Sequence, residues 1–507
     1  MINFGPNKTS LFLIPLTIIS ILLPLSFLIK SDQALAGKPF LEDAFYSLTI
    51  SRNISQGYGV SYDKLKPANG FQPLYVFMLV PVIKIAGNDS YALIRIVSTF
   101  NWVIWVLSAV LFASVIKKVL KFFNPDHRWI FFVPLLIYTT SIVVIKQHFN
   151  GLETGLMLLT FLIFINYYMF HFRGDLKSSL IFGVIAGLLI LSRIDTIFFI
   201  FTFLILHAIK FKFRTNIKSF IVFSLTAFIV SSPWFIYNLI EFGSIMPTSG
   251  RAQQEWAFSL IRFYHSLTGF FNLLIPSIPF VYAQYLGIGV EIIIQILTII
   301  LLLHLTLNSL KVFKSNFVSV EKLLQNKIFT AAAGILISNV MLIIWYSLSS
   351  YAIWFYTRYF ASALIPGSAF ISFLSIIYFR EKFIYVFLLA LITIQTALIF
   401  TWSFNTSSSA SGFFNNQLSL VEKYVPENER VAAFQSGTLG FFRNNVVNLD
   451  GKVNSDIFLY NGNIEKYLND KKINWICDSE LNKLQFIQQD WEMIDFIGGF
   501  ELYRRVK

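Results

Sequence analysis

Two adjacent carboxylates, Glu42 and Asp43, follow the first apolar segment of the chain, and a polar stretch closing on Asn69-Gly-Phe-Gln-Pro-Leu74 follows them. Acids held side by side next to lipid repel one another and lose hydration, so a purely structural role for the pair is costly. Acids in a wet loop are also often just solvated. A carboxylate of this kind can act as a general base, and a phosphate-bearing partner would need cations nearby. Candidate cations lie on separate turns: Lys146, Arg193, Arg251 and Arg358, with His148, Glu153, Asp195, Asn69, Gln72 and Tyr359 beside them. Each alone has an ordinary explanation: His148 as a hydrogen-bonded loop residue, Arg193 with Asp195 as an ion pair, Lys146 as a snorkelling side chain.

The elements that would hold these residues are read from hydropathy. The chain has 507 residues, 56% hydrophobic and 13% charged, against about a quarter charged in soluble proteins. It reads as a polytopic membrane protein. About 20 apolar residues cross a bilayer as a helix, and on that rule eleven spans are expected: 10–29, 93–116, 129–145, 152–170, 179–192, 194–208, 219–240, 288–307, 328–348, 360–379 and 383–402.

With the N-terminus inside, the segments left in the cytoplasm carry 17 Lys and Arg against four acids, an excess equal to the whole net charge of +13. This positive-inside bias supports the orientation and removes the main support for nucleic-acid binding. All the candidate turns then open on the outer face, with Glu42 and Asp43. Residues 72–87 are apolar but short and read as re-entrant or interfacial, and 43–56 as an amphipathic helix lying at the surface. Residues 11–29 exceed the apolar core of a signal peptide.

After Thr406–Gly412, a flexible hinge by composition, the last 105 residues hold 13 acids and 11 bases with no long apolar run. Strand-like runs at 430–434, 446–449 and 473–477 alternate with helical stretches such as 464–470, so residues 403–507 read as a small soluble α/β domain beyond a 1–402 transmembrane domain. The odd span count puts it outside. The single Cys477 excludes an intrachain disulfide and a cysteine metal cage. No Walker-type loop, HExxH or Gly-x-Ser-x-Gly elbow occurs. Aromatic residues around Trp345-Tyr346 and 351–360 read as an interface belt or a sugar-stacking surface, and Phe71 and Trp234 invite the same two readings.

Glu42-Asp43-Ala-Phe-Tyr with Ser51-Arg-Asn-Ile-Ser-Gln-Gly-Tyr-Gly59, Asn69-Gly-Phe-Gln-Pro-Leu-Tyr75, Gly151-Leu-Glu-Thr154, Ser192-Arg-Ile-Asp195, Arg358-Tyr-Phe360 and Val447-Asn-Leu-Asp-Gly451 together resemble the GT-C superfamily of polytopic glycosyltransferases. This group contains the protein O-mannosyltransferases and the aminoarabinose transferases. The resemblance implies an all-α GT-C-like membrane domain with surface-lying helices in its first outer loop. It also implies sugar transfer, with inversion, from a polyprenyl-phosphate donor to a glycan, lipid or protein acceptor. Under it Asp43 is the expected base and Glu42 its partner, although many relatives carry a second aspartate where this chain has Glu42. Arg193, Arg251, Arg358 and Lys146 are the expected donor-phosphate ligands, and His148, Glu153, Asp195, Asn69, Gln72 and Tyr359 the remaining substrate contacts. No cofactor or metal is expected, though paired acids are able to recruit a divalent cation. The implied location is the bacterial inner (plasma) membrane, with the active site and the C-terminal domain on the extracytoplasmic side. The rival from another class is a transporter or flippase of lipid-linked saccharides, which needs access from both faces. Glu291 and Gln295 are the main polar residues pointing that way. A second rival is a non-catalytic assembly protein that binds through its tail.

Overall fold

The computed structural model describes residues 6–87, 89–121, 130–210, 217–274, 327–350, 356–378, 381–404 and 410–506, with residues 293, 296, 300 and 353 singly. The expected span 288–307, with Glu291 and Gln295, falls almost wholly outside the described residues, as do positions 406–409 of the expected hinge.

Apolar runs fold as helices, and polar residues at their ends set the starts. Asp89 Oδ1 accepts from the N–H groups of Tyr91 and Ala92 at 2.8 and 3.1 Å and caps helix Ser90–Leu120, while Asp175 accepts from Ser178 N at 2.7 Å and caps helix Leu176–Ser192. Helix Leu176–Ser192 lies against helix Ile217–Phe242 through Gly183 and Gly187, which admit Phe223, Thr226 and Val230 at close range, the small-residue packing of membrane helices. This contact fixes the end of the helix that delivers Arg193.

Four described helices are long and apolar enough to cross a membrane: Ser90–Leu120, Ile217–Phe242, Lys327–Ser349 and Phe383–Thr401. The pair Phe132–Thr140 and Ile142–Phe149, bent by 64°, makes a fifth if taken as one broken span. Their outward apolar side chains, such as Ile221, Leu225, Phe228 and Ile229, are exposed, as lipid-facing residues are. The protein is an integral membrane protein. Six further apolar helices, among them Thr154–Phe170, Leu176–Ser192 and Ile194–Ile209, coincide with expected spans or with the 72–87 segment but are shorter. At 1.5 Å per residue a 17-residue helix reaches roughly 26 Å, so length and composition alone do not reach the expected eleven.

The helix expected at the surface behaves differently. In Ala44–Ser55, Tyr46, Ser47, Leu48, Ile50 and Ser51 are all buried along with Phe45. Helix Pro73–Ala86 covers one side, with Ser51 Oγ donating to Val76 O at 3.1 Å. Phe441 and Phe442 of the C-terminal region cover another, with ring centroids 5.2 and 6.1 Å from Phe45. The expected surface position is not met: the tail of the same chain packs on apolar Phe45 and also meets polar side chains, Tyr46 Oη accepting from Ser436 N at 3.2 Å and Arg52 donating to Phe441 O at 2.9 Å.

The C-terminal region is a five-stranded sheet flanked by helices. Strands β1 (Val431–Ala433), β2 (Val446–Asn448) and β3 (Trp475–Ser479) fall on the three expected runs, and helix Ile464–Asp470 is as expected. Strands β4 (Trp491–Ile497) and β5 (Phe500–Arg505) add an unexpected hairpin. The order is β2-β1-β3-β5-β4, parallel on the β2-β1-β3 side and antiparallel on the other. Residues 410–412 of the expected hinge begin helix Ala410–Tyr424.

Candidate active site

A cavity of about 340 Å³ opens where the loops between helices meet the C-terminal sheet. Asp43 enters it at the start of helix Ala44–Ser55, and Gln72 just before helix Pro73–Ala86. Glu153 precedes helix Thr154–Phe170, and Arg193 and Asp195 lie at the break after helix Leu176–Ser192. Tyr346 ends helix Lys327–Ser349, Arg358 and Tyr359 come from a one-turn helix, and Lys452 from the loop after β2.

The charges are arranged in pairs. Arg358 Nη1 donates to Asp43 Oδ2 at 2.8 Å, and Lys452 Nζ lies 3.4 Å from Asp43 Oδ1 and 3.1 Å from Asp450 Oδ2. Each Asp43 oxygen therefore has its own cation. Burial alone would raise the Asp43 carboxyl, but the charges of Lys452 and Arg358 outweigh it and hold it below the usual carboxylate range. Asp450 goes the other way, raised by burial against the pull of Lys452.

Arg193 anchors a second group. It pairs with Asp195 at 3.0 Å and donates to the main-chain oxygen of Arg358 at 2.5 Å. Asp195 also accepts from Tyr346 Oη at 2.6 Å. Tyr346 stacks on Tyr359 with centroids 4.4 Å apart and planes at 11°, and both guanidiniums pack over the Tyr359 ring, at 5.0 and 5.5 Å. Tyr359 Oη donates to Gln253 Oε1 at 2.9 Å. Guanidinium groups present five N–H donors in a planar fork, suited to phosphate oxygens.

Of the residues singled out by sequence, Asp43, Gln72, Glu153, Arg193, Asp195, Arg358 and Tyr359 line the cavity. Gln72 Oε1 also accepts from Ile194 N at 3.2 Å, tying two walls together. The others stand off. Asn69 is buried and bridges Asn238 and Thr248 N, at 3.1 and 3.0 Å. His148 is buried with a ring nitrogen 3.0 Å from Tyr138 Oη. Lys146 is half-buried on helix Ile142–Phe149, and Arg251 is exposed with its guanidinium 5.2 Å from the Phe458 ring. Phe71 lines the cavity with buried Trp234 packed on it, centroids 4.9 Å apart.

Glu42 turns away from the cavity into the C-terminal region. Its Oε1 accepts from Gly437 N and, at 3.3 Å, from Thr438 N, while Oε2 is shut off from solvent with no hydrogen-bond partner among the described residues. Burial, then the charge of Asp43, pushes it up to about 8, which favours its protonated form. Of the adjacent pair, one carboxyl faces the cavity between two cations, and the other faces the sheet.

Sequence reasoning missed Lys452 and gave no separate role to Asp450, Tyr46 or Tyr346, although all three stand in motif or aromatic segments. The tail motif stops at Gly451, one residue before Lys452, and nothing in the local pattern marks a lysine that meets Asp43 from 409 positions away. Among the described residues no three His, Cys, Asp or Glu side chains gather as metal ligands.

The chain shares its fold with solved structures of a protein named ArnT. The chain matches the crystal structure of ArnT from Cupriavidus metallidurans bound to undecaprenyl phosphate at 9% identity and a TM-score of 0.53, covering 99% of both chains. It matches the apo structure of the same protein at 10% identity and a TM-score of 0.56, covering 99% of this chain and 98% of the other. At sequence level no protein-family model and no curated protein matches. The shared fold covers 99% of the chain, while the expected count of eleven spans is not reached among the described residues.

Proposed function

We propose that the protein is a GT-C-type glycosyltransferase that moves a sugar from a polyprenyl-phosphate donor to an acceptor hydroxyl on the extracytoplasmic side, with inversion. The observation that carries this reading is Asp43, held ionised between Arg358 and Lys452 in the wall of a polar cavity. The fold shared with ArnT, one structure of which holds undecaprenyl phosphate, supports the donor class. The charge bias of the loops supports the orientation, in which the membrane domain is 1–402 and the outer α/β domain 403–507.

Arg358 and Arg193 line the cavity and are assigned to the donor phosphate; Lys146 and Arg251 stand outside its wall. An incoming phosphate competes with Asp43 for the Arg358 fork, and the carboxylate regains basicity as that bond loosens. The acceptor oxygen then attacks the anomeric carbon, its proton passes to Asp43, and the bond from that carbon to the phosphate oxygen breaks. Polyprenyl phosphate leaves with the bonding electrons, and the guanidiniums stabilise its charge. Tyr359, Phe71 and Glu153 line the space left for the sugar. Asp43→Asn is expected to lower transfer by about 10²–10⁴-fold, measured with a labelled polyprenyl-phosphate sugar in membranes, and Glu42→Gln to lower it far less. Full activity in Asp43→Asn overturns the assignment.

A further inference from the structure

The C-terminal sheet is fitted to the membrane region by contacts that leave no space. The carbonyl oxygen of Lys452 lies so near Gly70 that a Cβ there would sit 1.6 Å from it. The same oxygen accepts from Thr248 Oγ1 at 2.8 Å, and Thr248 is itself held by Asn69. A Cβ on Gly440 would sit 1.9 Å from Tyr62 Oη, which donates to Ser436 O at 2.6 Å. The loop after β2 is therefore seated on the Asn69-Gly70 turn, and its lysine is aimed at Asp43.

We propose that Lys452, delivered by the C-terminal sheet, is a positioning residue that keeps Asp43 ionised and oriented when Arg358 turns to the donor phosphate. This rests on the transferase reading above. With Arg358 drawn away, a mostly buried carboxylate with no second cation would take up a proton and cease to be a base. The groups facing Asp43 are Arg358 from its one-turn helix, Lys452 and Asp450 from the C-terminal loop, Glu42 beside it and the Tyr46 phenol on its own helix. Asp450 shares Lys452, so the lysine answers to both acids. Among the described residues the membrane region supplies one cation to Asp43, Arg358, and the C-terminal loop supplies the other, Lys452.

The test reads Asp43 protonation directly. Dicyclohexylcarbodiimide modifies protonated carboxyls, and modification of Asp43 in the purified full chain can be followed against pH by peptide mass spectrometry, separately from Glu42. Wild type is expected to be labelled at Asp43 only in acid. In Lys452→Met the labelling midpoint rises by roughly one pH unit or more, in Lys452→Arg it stays near wild type, and in Gly70→Ala, which displaces the Lys452 backbone without changing an ionisable group, it rises as well. Lys452→Gln takes the place of the Met variant if that does not fold. A labelling curve for the Met or Gln variant that superimposes on wild type overturns the proposal. In membranes where wild type transfers sugar, Lys452→Met should lower kcat more than it raises the donor KM and move the acid limb of the pH profile upward; a change confined to KM overturns it too. Absence of transfer by wild type defeats the transferase reading alone, because the labelling experiment needs no turnover.

Discussion

Arg193 donates to the main-chain oxygen of Arg358 at 2.5 Å, so one guanidinium sets the position of the other. Asp195 completes the arrangement by holding Arg193 at 3.0 Å and Tyr346 at 2.6 Å.

Replacing Arg193 by Lys keeps the charge and loses the fork. Transfer should fall about 10-fold or more while the protein still folds, since one ammonium does not reproduce both the Asp195 pair and the Arg358 bond. Arg193→Met should lower stability by ~3 kcal/mol, because Asp195 is left mostly buried without its cation. The double variant Arg193→Met, Asp195→Asn should recover most of that stability and none of the activity. Thermal unfolding in detergent beside a transfer assay separates the two effects.

Glu42 makes stability depend on pH. It holds a proton up to about 8, whereas its ordinary value is 4.5, so the native state binds more protons than the unfolded chain between those limits. Its contribution to stability is complete below pH 4.5 and is lost as pH rises to about 8. The unfolding midpoint of wild type should therefore fall relative to Glu42→Gln as pH rises from 5 to 8 and run parallel above that. A constant difference across the range contradicts this.

Gly440→Ala tests the seating of the sheet. Its Cβ would meet Tyr62 Oη at 1.9 Å, and overpacking of this kind costs about 1–3 kcal/mol. Faster limited proteolysis of residues 403–507, with the membrane helices intact, is the expected result.

Tyr359→Phe keeps the stack on Tyr346 and both guanidinium contacts and loses only the bond to Gln253, so transfer should stay within about 3-fold of wild type. Tyr359→Ala removes the surface under Arg193 and Arg358. A loss of about 5-fold in kcat/KM for the donor is expected, in line with roughly 1 kcal/mol for cation–π packing at partly desolvated sites.

Much of this site can be read in the sequence because hydropathy and charge bias sort turns by membrane side. Asp43, Glu153, Arg193, Asp195 and Arg358 come from four separate turns and meet at one cavity. Pairings across the fold are not encoded locally: no periodicity reveals that Lys452 reaches Asp43, or that Phe441 packs on Phe45 of helix Ala44–Ser55. Periodicity reports an apolar side and is silent about what covers it. The division of labour between Glu42 and Asp43 is likewise tertiary, since it depends on which carboxyl meets Gly437 and which meets two cations. The hairpin was within reach, because Gly498-Gly499 between two β-rich runs is a turn signal, and an expectation of three strands omits it.

Asp43 and Lys452 stand 409 positions apart in the chain. During synthesis Asp43 emerges long before its second counterion is translated, so every apolar helix can be inserted while this ion pair is still incomplete. Under the proposed function, a product shortened ahead of residue 452 keeps the Arg193 and Arg358 guanidiniums and is expected to bind donor lipid without transferring sugar.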